Sequence, residues 1–457
     1  MSTFTESMDP PNRNFGRNLL HEYPSVESAE GIYYTVDGRK ILDASSGAAV
    51  SCIGHGNTRV RKAMIDHIDL GHTYVPSSFY RTEIVQRLCD ELVRGTEGKM
   101  ASAFLTGSGS DATEAAMKLS RQYYHEKKEF SRVNFIARQG SYHGNTMGAL
   151  SLSQYAVRRQ PYEEILMKNI YHVSSCNPYH QREKDQSDED FIRRKVLELE
   201  TKFQQLGPNT VIAFIAEPIV GAALGCVPAV SGYLKAMKEV CQKHGALFIL
   251  DEIMCGMGRT GTLHAWQAED VVPDIQTVGK GLAAGYQQAS ALLISQEITD
   301  ILRDGSGQFV HGLTYDSMPL QAVAALEVQR IIQEDHLLNN VVIQGDYLKE
   351  KLTSLLGNHP NVGNIRGRGL FWGIEFVKNK VTKEPFDPNI QLALKMKETA
   401  LLPPFNIMIY PCGGNNDGFH ADCIMLAPPF IVTRENIDDI VVKVYGLICK
   451  TFQDLVI

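Results

Sequence analysis

Short apolar runs recur through the middle of the chain, at residues 101–105, 133–137, 211–216, 246–250, 275–278 and 289–294. Their length and flanking turn residues fit buried strands rather than helices. Between several of them the apolar residues repeat at helical spacing. Residues 112–124 form one such stretch, and residues 233–244, closed by Gly245, form another. Strand alternating with helix predicts an α/β architecture with a mostly parallel central sheet flanked by helices. The ends of the chain read differently. Residues 32–42 (IYYTVDGRKIL) predict a hairpin with Asp37 and Gly38 at the turn. From about His336 onward, helices mix with short strands. The expected organisation is a large domain over residues 70–335. A small α+β domain is expected from residues 1–69 together with residues 336–457. The polar stretch 181–190 (QREKDQSDED) predicts an exposed loop leading into a helix.

Composition narrows the function classes. The chain has 457 residues, 44% of them hydrophobic and 21% charged, which is the ordinary globular range. A formal net charge of -7 argues against a nucleic-acid binder, which needs a basic surface. No apolar run approaches the roughly 18 residues of a spanning helix, so no membrane role is expected. Near the N-terminus, Glu6 and Asp9 without an apolar stretch predict neither a secretory signal nor a transit peptide. The terminal Asp454, Leu455, Val456 and Ile457 match no retrieval or peroxisomal tail. Nine cysteines lie scattered without C-x-x-C spacing, which predicts reduced thiols, no metal site and a cytoplasmic location.

Three segments carry candidate chemistry. The apolar run 246–250 ends in Asp251 and Glu252. In open α/β sheets ligands lie beyond the carboxyl ends of strands, so an acid there can point into a crevice. The run 275–278 ends in Lys280, held between Gly279 and Gly281. Such a lysine has little bulk around its amine, which suits imine formation. Taken singly, each is an ordinary solvated strand end. Together they match the needs of pyridoxal-5'-phosphate (PLP): a lysine for the Schiff base and a carboxylate to keep the pyridine nitrogen protonated. Gly107, Ser108, Gly109 and Ser110 lie between a strand and a helix, where free backbone N–H groups and the helix dipole favour a phosphate. The same turn also fits a plain serine cap.

In this order the segments resemble the class III, fold type I, PLP-dependent aminotransferases, and the pattern closest to them is that of the omega-amine transaminases. The resemblance spans nearly the whole chain. It rests on residues 31–34, 37–43 and 54–57, on the Gly/Ser turn, on Ser141, Tyr142, His143 and Gly144, and on Ala216, Glu217 and Pro218. Its most specific part is 250–261 (LDEIMCGMGRTG), followed by 279–282 (GKGL), 311–315 (HGLTY), 366–370 (RGRGL) and 427–430 (APPF). The resemblance implies that Lys280 is the Schiff-base lysine and Asp251 the partner of the pyridine nitrogen. It implies that Tyr142 stacks on one face of the ring and Ile253 packs on the other. Gly109 and Ser110 match the phosphate loop. Thr314 matches a threonine that reaches the phosphate held by the other subunit, which implies a homodimer with shared sites. Glu217 matches a glutamate on the substrate side of the cofactor, and a structural ion pair is the competing reading.

Departures from the family pattern bear on the substrate. Met254 stands where many members have glutamine. Met425 stands where amino-acid-specific members carry arginine before the double proline. Tyr410 falls near the position of a movable arginine clamp, and Ala49 replaces a bulky tryptophan. A carboxylate is best held by a bidentate arginine. Losing both candidates favours a roomy, apolar pocket. The expected activity is transfer of an amino group from an amine or omega-amino donor to a keto acid, by ping-pong half-reactions. An aminomutase, a decarboxylating transaminase and a racemase share these residues. A non-catalytic PLP-fold binding protein is a further alternative, which the intact Lys280 and Asp251 oppose. For the acceptor's carboxylate, the sequence offers Arg81, Arg259 and Arg368 without ranking them.

Overall fold

A computed structural model describes residues 15–19, 23–412 and 422–455. At its centre is a seven-stranded sheet. Its strands in chain order are β1 (Ser102–Thr106), β2 (Asn134–Arg138), β3 (Ile170–Val173), β4 (Val211–Ala216), β5 (Leu247–Asp251), β6 (Ile275–Val278) and β7 (Ser290–Ile294). The spatial order is β1-β7-β6-β5-β4-β2-β3. All strands run parallel except β7, which is antiparallel to both neighbours.

The contiguous apolar runs have a direct cause. Successive side chains of a strand point to opposite faces. In β5, Leu247 and Ile249 join one hydrophobic cluster with Ala112, Leu119 and Tyr123 of the helix Gly109–Glu126. Phe248 and Leu250 join another with Tyr233 and Met237 of Tyr233–Lys243, and with Phe191 and Phe203 of Asp188–Leu206. Helices cover both faces, so β4 and the first four residues of β5 are apolar throughout.

The six predicted strands are present, each within a residue or so of its expected bounds. The edge strand β3 is an addition. Its sequence Ile170, Tyr171, His172, Val173 is only half-buried over its first three residues and shows no apolar run. The charge-rich stretch does lead into a helix, Asp188–Leu206, capped by the Ser187 side chain.

The predicted hairpin consists of Tyr33–Val36 paired with Arg39–Asp43. Asp37 and Gly38 both have positive φ, as a tight two-residue hairpin turn requires. Ile407–Met408 adds to this sheet alongside Arg39–Asp43, joining the two ends of the chain. Near it, Val362–Gly367, Trp372–Phe376, Cys423–Leu426 and Tyr410–Cys412 form an antiparallel sheet. The largest hydrophobic cluster draws Leu42 and Ile53 from one end of the chain and Leu348, Ile374, Ile440 and Phe452 from the other. Among the described residues, no helix is long and apolar enough to cross a membrane. All nine cysteines are free.

Candidate active site

The carboxyl ends of β1, β2, β4, β5 and β6 lie along one edge of the sheet, and the candidate residues gather there. Gly109, Ser110, Tyr142, Glu217, Asp251, Ile253 and Lys280 line one cavity of about 260 Å³. His143, Gly144, Ala222 and Met254 complete its wall.

Asp251 is the last residue of β5 and is buried. One carboxylate oxygen accepts from Ile253 N at 3.0 Å and from Thr277 Oγ1 at 3.2 Å. The other lies 2.8 Å from His143 Nδ1. An ionised carboxylate only accepts, so the imidazole proton belongs on Nδ1. His143 Nε2 is then buried without a hydrogen-bond partner.

Lys280 follows β6 directly after Gly279. A Cβ on Gly279 would stand 2.5 Å from Ser290 Oγ, so no larger residue fits there. Burial pushes the Lys280 amine below the usual lysine range, while the Asp251 and Glu217 carboxylates pull it back. A more easily deprotonated amine is a better nucleophile and proton carrier.

Glu217 comes just after β4. Its carboxylate accepts from Tyr142 N at 3.2 Å and from Gly221 N at 3.0 Å. Burial pushes this carboxyl up, Asp251 adds to the shift, and His143 and Arg138 oppose it. Among the described residues Glu217 forms no ion pair, so it is held by backbone N–H groups instead. Arg138 donates to the Glu217 carbonyl oxygen, not to its carboxylate.

The Gly/Ser turn forms the serine cap that the sequence offered as one reading and also borders the cavity. Ser108 caps the helix Gly109–Glu126, accepting from Asp111 N at 3.2 Å. Gly109 and Ser110 face the cavity, where first-turn N–H groups have no intrahelical acceptor. A Cβ on Gly109 would lie 2.9 Å from Ile253 Cγ2, so glycine lets the helix end approach that side chain. Tyr142 is half-buried and meets Tyr155 edge-on, with ring centroids 6.3 Å apart.

The other named residues lie elsewhere. Thr314 is exposed and outside this cavity. Ala49, Tyr410 and Met425 share a hydrophobic cluster with Ala222 and Met254, which carries them to the cavity wall indirectly. Of the three arginines offered for a carboxylate, Arg259 is buried away from this cavity: its Nη1 donates to the carbonyl oxygens of Leu370 at 3.1 Å and Pro428 at 2.6 Å, while its Nε and Nη2 have no hydrogen-bond partner among the described residues. Arg81 and Arg368 do not line the cavity. Sequence reasoning does not single out His143 or Thr277. The only signal for His143 is its place between Tyr142 and Gly144.

Residues 17–447 match the family described as aminotransferase class-III. An aminotransferase of Gibberella zeae is 48% identical over 442 residues, covering 94% of this chain and 86% of that protein. The chloroplastic gamma aminobutyrate transaminase 3 of Solanum lycopersicum is 31% identical, covering 94% and 81%. The omega transaminase of Pseudomonas jessenii, solved in complex with PMP, superposes with a TM-score of 0.87 at 28% identity, covering 94% of this chain and 93% of that one. With the family match running almost from end to end, this chain belongs to the class III aminotransferases, PLP-dependent transferases of fold type I.

Proposed function

We propose that this protein binds PLP on Lys280 and transfers an amino group from an amine or omega-amino donor to a keto acid by ping-pong half-reactions. The observation that carries this reading is the meeting of Lys280, Asp251 and the Gly109–Ser110 turn around one cavity. The residues present suit the cofactor. Asp251 is a buried carboxylate fixed by three donors, and the glycine at 109 lets the start of the helix approach Ile253 closely at the cavity wall. When bound, PLP supplies the electron sink that makes the bond to the amino-bearing carbon labile.

The chain's own residues do the rest. Lys280 would hold the cofactor, and its buried, more easily deprotonated amine suits it to take up and return a proton. Asp251 keeps the pyridine nitrogen protonated, because opposite charges stabilise each other's ionised forms. His143 holds Asp251 in place. Tyr142 and Ile253 would cover the cofactor's ring, and Gly109 and Ser110 would hold its phosphate. Glu217 borders the space left for the substrate. Ala49, Tyr410 and Met425, clustered with the wall residues Ala222 and Met254, offer no cation to an α-carboxylate, which supports an amine or omega-amino donor. The homodimer belongs to the same reading, with Thr314 donating to the partner's phosphate. Nine free cysteines support a reducing compartment such as the cytoplasm.

Borohydride reduction of the purified protein followed by peptide mapping tests the assignment. The pyridoxyl group is expected on Lys280, and Lys280→Ala should abolish turnover. A label on another lysine overturns it.

A further inference from the structure

We propose that a side pocket of about 350 Å³ binds a small carboxylate with a hydrogen-bond donor on its α-carbon, an α-hydroxy or α-amino acid. Its wall includes Asn177, Tyr179, Arg182, Val227, Pro228 and Arg366. None of its lining residues lines the active-site cavity, so the pocket stands apart from the reading above.

Three elements build the wall. Residues 177–182 follow β3 and include the short helix Pro178–Gln181. Val227–Pro228 is one strand of a small hairpin, and Arg366 belongs to the strand Val362–Gly367. The first segment carries unused polar groups. Asn177 Oδ1, the Tyr179 hydroxyl and Arg182 Nε are buried and have no hydrogen-bond partner among the described residues. Asn177 is only 4% exposed. Leaving such groups unpaired is costly, so three of them on one pocket wall point to a ligand that pairs them. Each side chain is held by its other contacts. Lys383 Nζ donates to the Tyr179 carbonyl and stands 4.9 Å from its ring centroid. Arg182 pairs with Asp188 through Nη2, which leaves Nε for another acceptor.

The chemistry of the wall selects the ligand. Two arginines line the pocket, and no Asp or Glu does. Each arginine pairs with a carboxylate outside the lining, Asp188 and Glu375, so the excess positive charge suits a single carboxylate better than a phosphate. That carboxylate would accept from Arg182 Nε and the Tyr179 hydroxyl. Asn177 Oδ1 only accepts, so the ligand must also donate, as an α-hydroxyl or α-ammonium does. Val227 and Pro228 face its apolar body. The volume is in the range of small-molecule sites, roughly 300–1,000 Å³.

One hairpin borders both the side pocket and the active site. Ile219 and Val220 pair with Pro228 and Val227. Arg366 Nε donates to the Gly225 carbonyl at 2.9 Å, and its Nη2 donates to that of Leu224. On the same connection Gly221 N donates to the Glu217 carboxylate at 3.0 Å, and Ala222 lines the active-site cavity. A ligand against Val227 and Pro228 therefore acts on the segment that holds Glu217.

Calorimetric titration of the holoenzyme with 2-hydroxyisovalerate tests the site, because a hydroxy acid has no amine to form an imine. A Kd of about 1 mM or tighter is expected. 3-Methylbutanoate, which lacks the hydroxyl, should bind at least about tenfold more weakly. Asn177→Leu and Tyr179→Phe remove groups that bond nothing among the described residues. Each should therefore keep the wild-type Tm and weaken 2-hydroxyisovalerate at least about tenfold. Should one variant fail to fold, the other decides. Valine displacing the hydroxy acid assigns the site to amino acids, and failure to displace it confines the site to hydroxy acids. No binding by wild type overturns the proposal. So does wild-type affinity in both variants, which puts the probe elsewhere, the active-site cavity included. Inorganic phosphate binding more tightly than 2-hydroxyisovalerate, and lost in the same variants, overturns the carboxylate assignment. Bound 2-hydroxyisovalerate should also slow amide hydrogen exchange at residues 177–182 and 219–227. Slowing confined to 177–182 overturns the link to the active site.

Discussion

At the residue scale, the network around Asp251 joins positions far apart in the chain. His143 and Asp251 are separated by 108 residues and meet at 2.8 Å. Removing a hydrogen bond to a charged group costs about 1.5–3 kcal/mol, and each 1.4 kcal/mol is a tenfold change in rate. His143→Phe should therefore slow the half-reaction about tenfold or more, and His143→Asn should recover part of it. Asp251→Asn removes the charge itself and should cost at least about a hundredfold. Rapid-mixing rates of the half-reaction check both, and an unchanged Asp251→Asn rate would make this acid merely structural. Glu252, next in sequence, does different work. Its carboxylate accepts from Ala265 N and Trp266 N, and burial pushes it up to about 7. A carboxyl raised on folding contributes stability that is complete below its unfolded value and is lost as pH rises through about 7. Wild-type Tm should fall between about pH 5 and pH 8 relative to Glu252→Gln, so that the gap between them narrows. A gap independent of pH contradicts this. Lys280 and Asp251 are legible in the sequence because each ends an apolar strand. His143 is not, because its meaning comes from a tertiary contact that no local pattern encodes.

At the element scale, what could be read was what both faces of a strand record alike. β4 is buried at every position, and β5 likewise, so each stands out as an uninterrupted apolar run. The edge strand β3 has one neighbour and a half-buried face, and its polar His172 hides it. The hairpin was legible for another reason: Asp37 and Gly38 are residue types that tolerate the positive φ its turn demands. Strand ends matter for function here because they carry the site. Phe248 lies in the middle of β5, fully buried and stacked near Phe214 at 6.3 Å. Phe248→Ala should destabilise the fold by about 3–5 kcal/mol through lost burial and the cavity left behind. The loss is read from denaturant midpoints. Because Asp251 closes the same strand, PLP retention should decline in parallel. Full stability in this variant would mean that the two clusters on either side of β5 collapse independently into the space.

At the scale of the whole molecule, the fold leaves large apolar side chains uncovered. Phe79, Tyr80, Val310 and Tyr315 are each more than half exposed. Tyr74 meets Tyr315 edge-on with ring centroids 6.2 Å apart, and Thr314 is exposed in the same segment. A second cavity, of about 700 Å³, lies along the helix Gly109–Glu126, lined by Met117, Val133, Phe135, Met167 and Val310 among others. Exposed aromatic and aliphatic side chains of this kind suit an interaction face. The segment carrying Thr314 is tied to that helix: Val310 N donates to Gln122 Oε1 at 2.8 Å, and Lys118 Nζ lies 2.9 Å from His311 Nδ1. The helix begins at the proposed phosphate cradle, so the same element supports both the cradle and the segment offered to a second copy. In the proposed homodimer, Thr314→Ala should leave the oligomeric state unchanged and weaken PLP retention, measured as cofactor lost on dialysis. Val310→Glu, which places a charge on the uncovered apolar face, should shift the protein towards monomer in sedimentation and lower PLP occupancy with it. A wild type that sediments as a fully active monomer at assay concentration rules out the shared site, because Thr314 then has no partner phosphate to reach.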